Sequence, residues 1–286
     1  MHDQGLPIKT SPTASSFSSF SCFFPKIIIP GESELLWVRK EVTCFRFPGL
    51  SLNQKLIHGV FTRRGGLSEP PYNSLNTSYT VGDSPENVTE NLSRIEKAVE
   101  AGHLIFMDQV HGDSIFEIRK DHLDSTGKIP PADAMITDIP RVALMVKQAD
   151  CQGVIIFDPN RSVVANVHCG WRGNVRNILG RVVARMKRDF ECRPSDLIVA
   201  IGPSLGPCCA EFVTHEEIFP ENFRRFMVRE NYFDLWAVSC LQLTEAGLRE
   251  ENIEVSGICT RCRTDLFYSY RAEGQTGRFG TVAMLR

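Results

Sequence analysis

Two short segments of the chain concentrate its reactive side chains. Gln148-Ala149-Asp150-Cys151-Gln152-Gly153 joins two apolar runs, and Val167-His168-Cys169-Gly170-Trp171-Arg172-Gly173 follows a third. A further histidine, His111, follows Gln109-Val110 and precedes Gly112. Cys151, His111 and His168 are each expected where a strand ends, a frequent place for sites in α/β sheets. Read singly, Cys151 is equally a buried structural thiol, and His168 equally a satisfied core histidine. Their intervals do not make a compact zinc motif, so convergence must come from the fold. If they converge, one thiolate and two imidazoles with an open fourth position match a catalytic zinc site. A metal so held brings the pKa of bound water to about 7. Copper is the alternative metal for these donors. Without a metal, Cys151 could act as a thiol nucleophile with His168 or His111 as its base.

Other segments carry weaker signals. Thr62-Arg63-Arg64-Gly65-Gly66-Leu67-Ser68 ends a predicted strand in a glycine-rich turn, where exposed amides and a guanidinium suit a phosphate or carboxylate. The alternative is a plain turn with two surface arginines. Gly170 and Gly173 flank a tight strand-to-helix turn whose helix N-terminus can receive an anion. Cys259-Thr260-Arg261-Cys262 has the spacing of a redox motif or half a zinc knuckle. With only Cys208-Cys209 as a second half, spacing alone does not make a structural zinc. Gly202-Pro203-Ser204-Leu205-Gly206-Pro207 reads as a rigid loop suited to a pocket wall.

The elements that must position these residues alternate. Strands are expected over 56–63, 104–110, 115–118, 142–147, 154–157 and 163–167, each rich in β-branched or large apolar residues. One helix should start at Ser84-Pro85-Glu86, where serine caps, proline suits the first turn and the acid favours the positive helix end. Its apolar stripe is Val88, Leu92, Ile95 and Val99. A second helix is expected over 173–190, with Arg176, Arg181, Arg185, Lys187 and Arg188 on its solvated face. Two more are expected over 214–228 and 232–248, then a strand near 255–259 and a closing segment over 267–271. Interleaved strands and helices give an α/β or α+β domain over 51–286, preceded by an extension over 1–50 without a recognised motif.

Bulk properties narrow the partners. The 286 residues carry a formal net charge of −2, with 42% hydrophobic and 23% charged residues. This is ordinary for a soluble protein and argues against global attraction to nucleic acid or an acidic membrane. No apolar stretch reaches spanning length. Ten irregularly spaced cysteines do not read as a disulfide framework, and reduced thiols point to a cytoplasmic location. The serine- and phenylalanine-rich stretch over 13–24 lacks the basic flank and apolar core of a signal peptide, and reads as a loosely ordered tail.

An ordered set of segments resembles the YfiH family, also called the laccase-domain or multicopper polyphenol oxidoreductase family. The set comprises Thr62 to Ser68, Ser74-Leu75-Asn76, Gly82-Asp83, Asn91, Gln109-Val110-His111-Gly112, Asp133-Ala134 and Ala149-Asp150-Cys151. It continues through His168 to Gly173, Ile201-Gly202-Pro203, Cys259-Thr260, Phe267 to Arg271 and Thr276-Gly277-Arg278. The resemblance spans roughly 55–286. It implies a single α/β domain of layered mixed sheets flanked by helices, and a metal and catalytic triad at His111, Cys151 and His168. It also implies Arg63 as a catalytic and phosphate-orienting residue, with Asn76 near the same pocket. Asp150, Gly170 and Arg172 complete the candidate substrate-binding set. The implied activity is zinc-dependent phosphorolysis of adenosine, inosine, guanosine and methylthioadenosine, with adenosine deamination; the partners are a purine nucleoside and phosphate. Two positions depart from the family pattern: Gln148, where threonine is common, and Cys169, where alanine is usual. An extra thiol beside His168 could alter metal choice.

Of three rival functions, only the thiol hydrolase uses the same residues. A multicopper oxidase needs paired H-x-H runs, and the seven histidines contain none. A Cys151 hydrolase, such as an amidase acting on cell-wall peptides, needs no metal. A binding protein that keeps the fold would tolerate loss of Cys151.

Overall fold

The computed structural model describes the backbone of residues 36–39 and all of 41–123 and 129–286. The reading of 13–24 lies outside the described residues. In chain order the strands are β1 (Leu36–Arg39), β2 (Val42–Phe45), β3 (Leu56–Phe61), β4 (His103–Ile105), β5 (Ile115–Glu117), β6 (Ala134–Thr137) and β7 (Val142–Gln148). They continue with β8 (Gln152–Asp158), β9 (Val163–Cys169), β10 (Ile198–Ile201), β11 (Met227–Arg229), β12 (Tyr232–Phe233), β13 (Ile253–Val255) and β14 (Phe279–Leu285). The α-helices are α1 (Pro48–Ser51), α2 (Pro85–Val99), α3 (Trp171–Val175), α4 (Ile178–Phe190), α5 (His215–Ile218), α6 (Leu235–Glu245) and α7 (Tyr270–Glu273).

Two six-stranded mixed sheets form the body. The first runs β1-β2-β3-β14-β7-β4 and the second β13-β10-β8-β9-β6-β5. Strand alternation sorts their side chains into three layers. Leu144, Val146, Ile155, Phe157, Val164, Phe279 and Ala283 fill the space between the sheets. Ala143, Met145, Val282 and Met284 turn the other way, onto Val88, Leu92, Ile95 and Val99 of α2. Val154, Ile156, Ala165 and Val167 pack on Ile178, Leu179, Val182 and Met186 of α4. A helix thus covers the outer face of each sheet. Burial on both faces removes the polar alternation that marks a half-exposed strand.

Helix α2 forms as its sequence predicts, with the Ser84 side chain accepting from the Asn87 amide. Each buried stripe residue contributes about 1.5–3 kcal/mol, whereas the Arg94–Glu90 pair adds a few tenths. Packing therefore decides this helix.

Several boundaries differ from expectation. The strand expected over 104–110 stops at Ile105, because the Gln109 side chain replaces a ladder partner: its Oε1 accepts from Lys147 N at 2.8 Å and its Nε2 donates to Lys147 O at 2.7 Å. The helix expected over 173–190 breaks in two, since Asn177 adopts a left-handed conformation (φ 54°) and caps α4 through Gly180 N. Pro220 ends the helix expected over 214–228 after α5, and a 3₁₀ turn and β11 follow. The helix expected from 232 starts at Leu235, capped by Asp234. The strand near 255–259 is β13, which ends at Val255. Strand β14 was not expected at all, yet it sits between β3 and β7. The first sheet also reaches back past residue 51, since β2 pairs with β3. Among the described residues no helix is long and apolar enough to cross a membrane, and the nine described cysteines are free thiols.

His58 on β3 sets an acid limit on the fold. It is buried, and its Nε2 accepts from Phe47 N at 2.9 Å. Burial, aided by the charge of Arg46, holds it down at about 3. Below the ordinary histidine value of 6.5 the unfolded chain takes up this proton and the folded chain does not. Stability is full above pH 6.5 and is lost as pH falls towards 3. At pH 5 the loss should be about 2 kcal/mol. Thermal melts should show His58→Gln losing less stability than the parent between pH 7.5 and 5. Equal losses would show that another group sets the limit.

Candidate metal centre

His111, Cys151 and His168 converge. Their donor atoms all lie within 4.8 Å of one another, and the two imidazoles meet edge to face with centroids 4.8 Å apart. His168 is near the end of β9 and Cys151 lies immediately before β8, as a strand-end site requires. His111 does not end a strand. It lies in the loop beyond Gln109, exposed and left-handed (φ 56°).

Asp133 holds this loop in place. Its fully buried carboxylate accepts from His111 N at 3.0 Å and Gly112 N at 2.6 Å, and its Oδ1 is 2.8 Å from His168 Nδ1. One side chain therefore fixes the backbone of one candidate ligand and the ring of another. Binding Nδ1 leaves Nε2 of His168 to face a metal, the usual support of a ligating histidine. Burial alone would raise the Asp133 pKa, but the His168 ring and the amides of Gly112 and His111 hold it below the usual carboxylate range. Sequence reasoning missed this role; Asp133-Ala134 matched the family pattern but carries no chemical signature of its own.

The donor set fits a metal. A Cβ on Gly170 would lie 2.9 Å from Cys151 Sγ and 3.3 Å from His111 Cδ2, so glycine keeps the cradle open. Burial would push the Cys151 thiol up, but the charge of His168 and hydrogen bonds from His111 and His168 outweigh it and bring it down to about 6. His168 shows the converse: burial opposes its charge, yet Cys151 and Asp133 hold it up at about 9. A ready thiolate beside a neutralising partner suits metal ligation and nucleophilic chemistry alike.

The remaining candidates are distributed differently. Asp150 (φ 100°) accepts from Thr260 Oγ1, Ser269 Oγ and Arg271 N at 2.6–2.7 Å, so its carboxylate ties the C-terminal segment to the Cys151 loop. Asn76 is fully buried and bonds Ser78, Asp83 and the Arg278 amide. Arg172 is exposed and stacks 4.3 Å over Trp171. Arg63 pairs with Glu273 at 2.8 Å and donates to the carbonyls of Thr264 and Asn73. With Arg64 it lines a cavity of about 480 Å³ whose other walls are Asn73, Ser74, Thr264, Asp265 and Glu273; none of the triad borders it. The amides expected to face an anion are occupied. Arg64 N, Gly66 N, Leu67 N and Ser68 N donate to Thr62, Ser74 and Asn91 within the turn. Arg278, immediately before β14, donates through Nη1 to the carbonyls of Thr276 and Gly277, and burial holds its guanidinium below the usual range against the charges of Cys151 and Asp150.

Strand alternation also settles the two departures. Cys169 follows His168, so it points to the opposite face, buried on α4 with Val167 and Ile178. It is not a second thiol at the metal centre. Gln148 is buried, and its Nε2 donates to Thr281 on β14.

The sequence profile of the multi-copper polyphenol oxidoreductase laccase family matches residues 57–286. The chain belongs to this family. Members similar to it are named purine nucleoside phosphorylases. YlmD of Geobacillus stearothermophilus is 32% identical over 241 residues, covering 78% of this chain and 87% of that protein. A Deinococcus radiodurans member is 33% identical over 251 residues, covering 82% and 93%. The fold of the laccase family is shared with solved structures. YlmD of G. stearothermophilus superposes with a TM-score of 0.78 at 29% identity, covering 88% of this chain and 99% of that one. Bacillus licheniformis YfiH gives 0.77 at 27%, covering 88% and 100%.

Proposed function

We propose that the chain is a zinc-dependent purine nucleoside phosphorylase that also deaminates adenosine, with His111, Cys151 and His168 holding the metal. The observation that carries this reading is the convergence of one thiol and two imidazoles around an open cradle, buttressed by Asp133. The names borne by the relatives point to the same activity. Bound zinc supplies a Lewis acid and an activated water, which is what deamination at the purine C6 requires.

In phosphorolysis a phosphate oxygen bonds to the ribose C1′ as the bond to the base breaks, and the departing base takes a proton. Positioning the anion is work for a guanidinium. Arg278 suits this better than Arg63, because Arg63 is already neutralised by Glu273. Arg278→Ala should raise the KM for phosphate tenfold or more, as expected for a charge-assisted contact of about 1.5–3 kcal/mol. Arg63→Ala should lower the melting temperature and leave that KM within about twofold. Initial rates at varied phosphate decide it; the opposite split would return the phosphate to Arg63.

The defining test incubates the protein with adenosine, inosine, guanosine or methylthioadenosine, with and without phosphate, and follows base and inosine by chromatography. Phosphate-dependent base release supports the phosphorylase, and inosine from adenosine supports the deaminase. No product from folded, zinc-loaded protein would sink both. A second reading has its own support: the Cys151–His168 pair, with its lowered thiol, suits a metal-free thiol hydrolase. Full activity after chelation would favour it. The free thiols fit a cytoplasmic location.

A further inference from the structure

A second group of metal-competent donors lies outside the centre described above. The Sγ atoms of Cys208, Cys209, Cys259 and Cys262 all lie within 4.8 Å of one another. Cys262 Sγ is 3.7 Å from Cys208 Sγ and 3.6 Å from Cys209 Sγ. With a zinc–sulfur bond of about 2.3 Å, the edge of a tetrahedral four-sulfur cage is roughly 3.8 Å. A disulfide would need about 2.05 Å. The sulfurs are thus spaced as ligands around a common centre.

The fold builds this cage from two loops. Strands β10 and β13 are parallel neighbours, so the loops that follow them leave the sheet side by side at one end. Their pairing continues through Ser204 and Cys259, with Ser204 N donating to Ile258 O and Thr260 N to Ser204 O. Gly206 N donates to Cys259 Sγ at 3.3 Å, the kind of amide contact that supports a thiolate. A Cβ on Gly206 would lie 2.8 Å from Trp236 Cη2 and 3.0 Å from Cys259 Cβ, so glycine is what lets the loops approach this closely without a shift. Arg229 donates to the Cys208 carbonyl at 3.0 Å and brings positive charge beside a cage that carries two net negative charges when filled.

We propose that Cys208, Cys209, Cys259 and Cys262 form a closed tetrathiolate site for a structural zinc ion, separate from the His111/Cys151/His168 centre. Four protein sulfurs leave no open position, so the ion braces the chain and does not meet substrate. It braces the Cys151 loop in particular: from the same two loops, Leu205 N donates to Asp150 O and Thr260 Oγ1 to Asp150 Oδ1. Binding releases the thiol protons and joins the two loops into one unit.

Metal content and a cobalt spectrum test this directly. Elemental analysis of the full chain purified without chelator should find about two zinc ions per chain, and Cys151→Ala should retain about one. Cobalt(II) exchanged into Cys151→Ala should show the strong thiolate charge-transfer bands of a four-sulfur tetrahedral site. Cys259→Ser and Cys262→Ser should lose that spectrum and melt at lower temperature. A folded Cys151→Ala chain without metal would overturn the proposal. So would a cobalt spectrum without four-sulfur character, iron in place of zinc, or an intact mass two daltons low from a disulfide among these cysteines. Each readout is independent of nucleoside turnover, so failure here leaves the phosphorylase reading untouched, and the reverse also holds.

Discussion

Cys151→Ala is expected to reduce phosphate-dependent release of base at least a thousandfold while the protein stays folded. The size follows from losing the one anionic member of a unit whose parts act together, a loss on the order of that seen when a catalytic triad member is removed. Folding should survive because Cys151 belongs to none of the apolar clusters that fill the layers. Alanine there also removes the group that keeps His168 charged. Circular dichroism would verify the fold, and chromatography of the nucleoside reaction would measure the rate. A variant within tenfold of the parent would remove Cys151 from the mechanism.

Asp133→Asn should weaken zinc binding at the triad by about 10–100-fold, the usual cost of losing a carboxylate behind a ligating histidine. The physical reason is donor accounting at a fully buried site. Asp133 receives the amides of His111 and Gly112 and contacts the His168 ring. An asparagine presents one oxygen and one NH₂. Its NH₂ must take the place of Oδ2, against Gly112 N, or of Oδ1, against His111 N and Nδ1 of His168, so at least one partner loses its acceptor. Leaving a buried donor unsatisfied costs about 1–3 kcal/mol, so the melting temperature should fall as well. Competition with a chromophoric chelator would report the affinity, using a preparation whose four-cysteine site has been separately quantified. Affinity and rate unchanged within twofold would show that the triad organises itself without Asp133.

Much of the site was legible in residue types alone. A cysteine after Ala149-Asp150, a histidine after an apolar run, and a histidine before Gly112 are residues that hold metals or attack carbon, and their segments mark the family. The limits of that reading are as instructive. Asp133 and Arg278 look unremarkable in sequence, because an aspartate before an alanine and an arginine after a glycine occur everywhere. Asp133 meets His168 only because β6 lies beside β9, and the role proposed for Arg278 depends on the turn that leads into β14. Arg63 is a different case. Its glycine-rich turn has the composition of an anion site, yet its amides serve Thr62, Ser74 and Asn91.

What the sequence by itself determined was local: the capped start of α2, the β-branched runs of β7, β8 and β9, and the identity of the three candidate donors. Each depends on residues near in the chain, whose propensities and periodicity act at short range. The tertiary structure decided what depends on distant partners. Strand β14 is recognisable only as a strip between β3 and β7, since burial on both faces erases its alternation. Cys169 could be judged only by the face it points to. The four-cysteine cage likewise joins residues about fifty positions apart, and only the parallel pairing of β10 and β13 brings their loops to one end of the sheet.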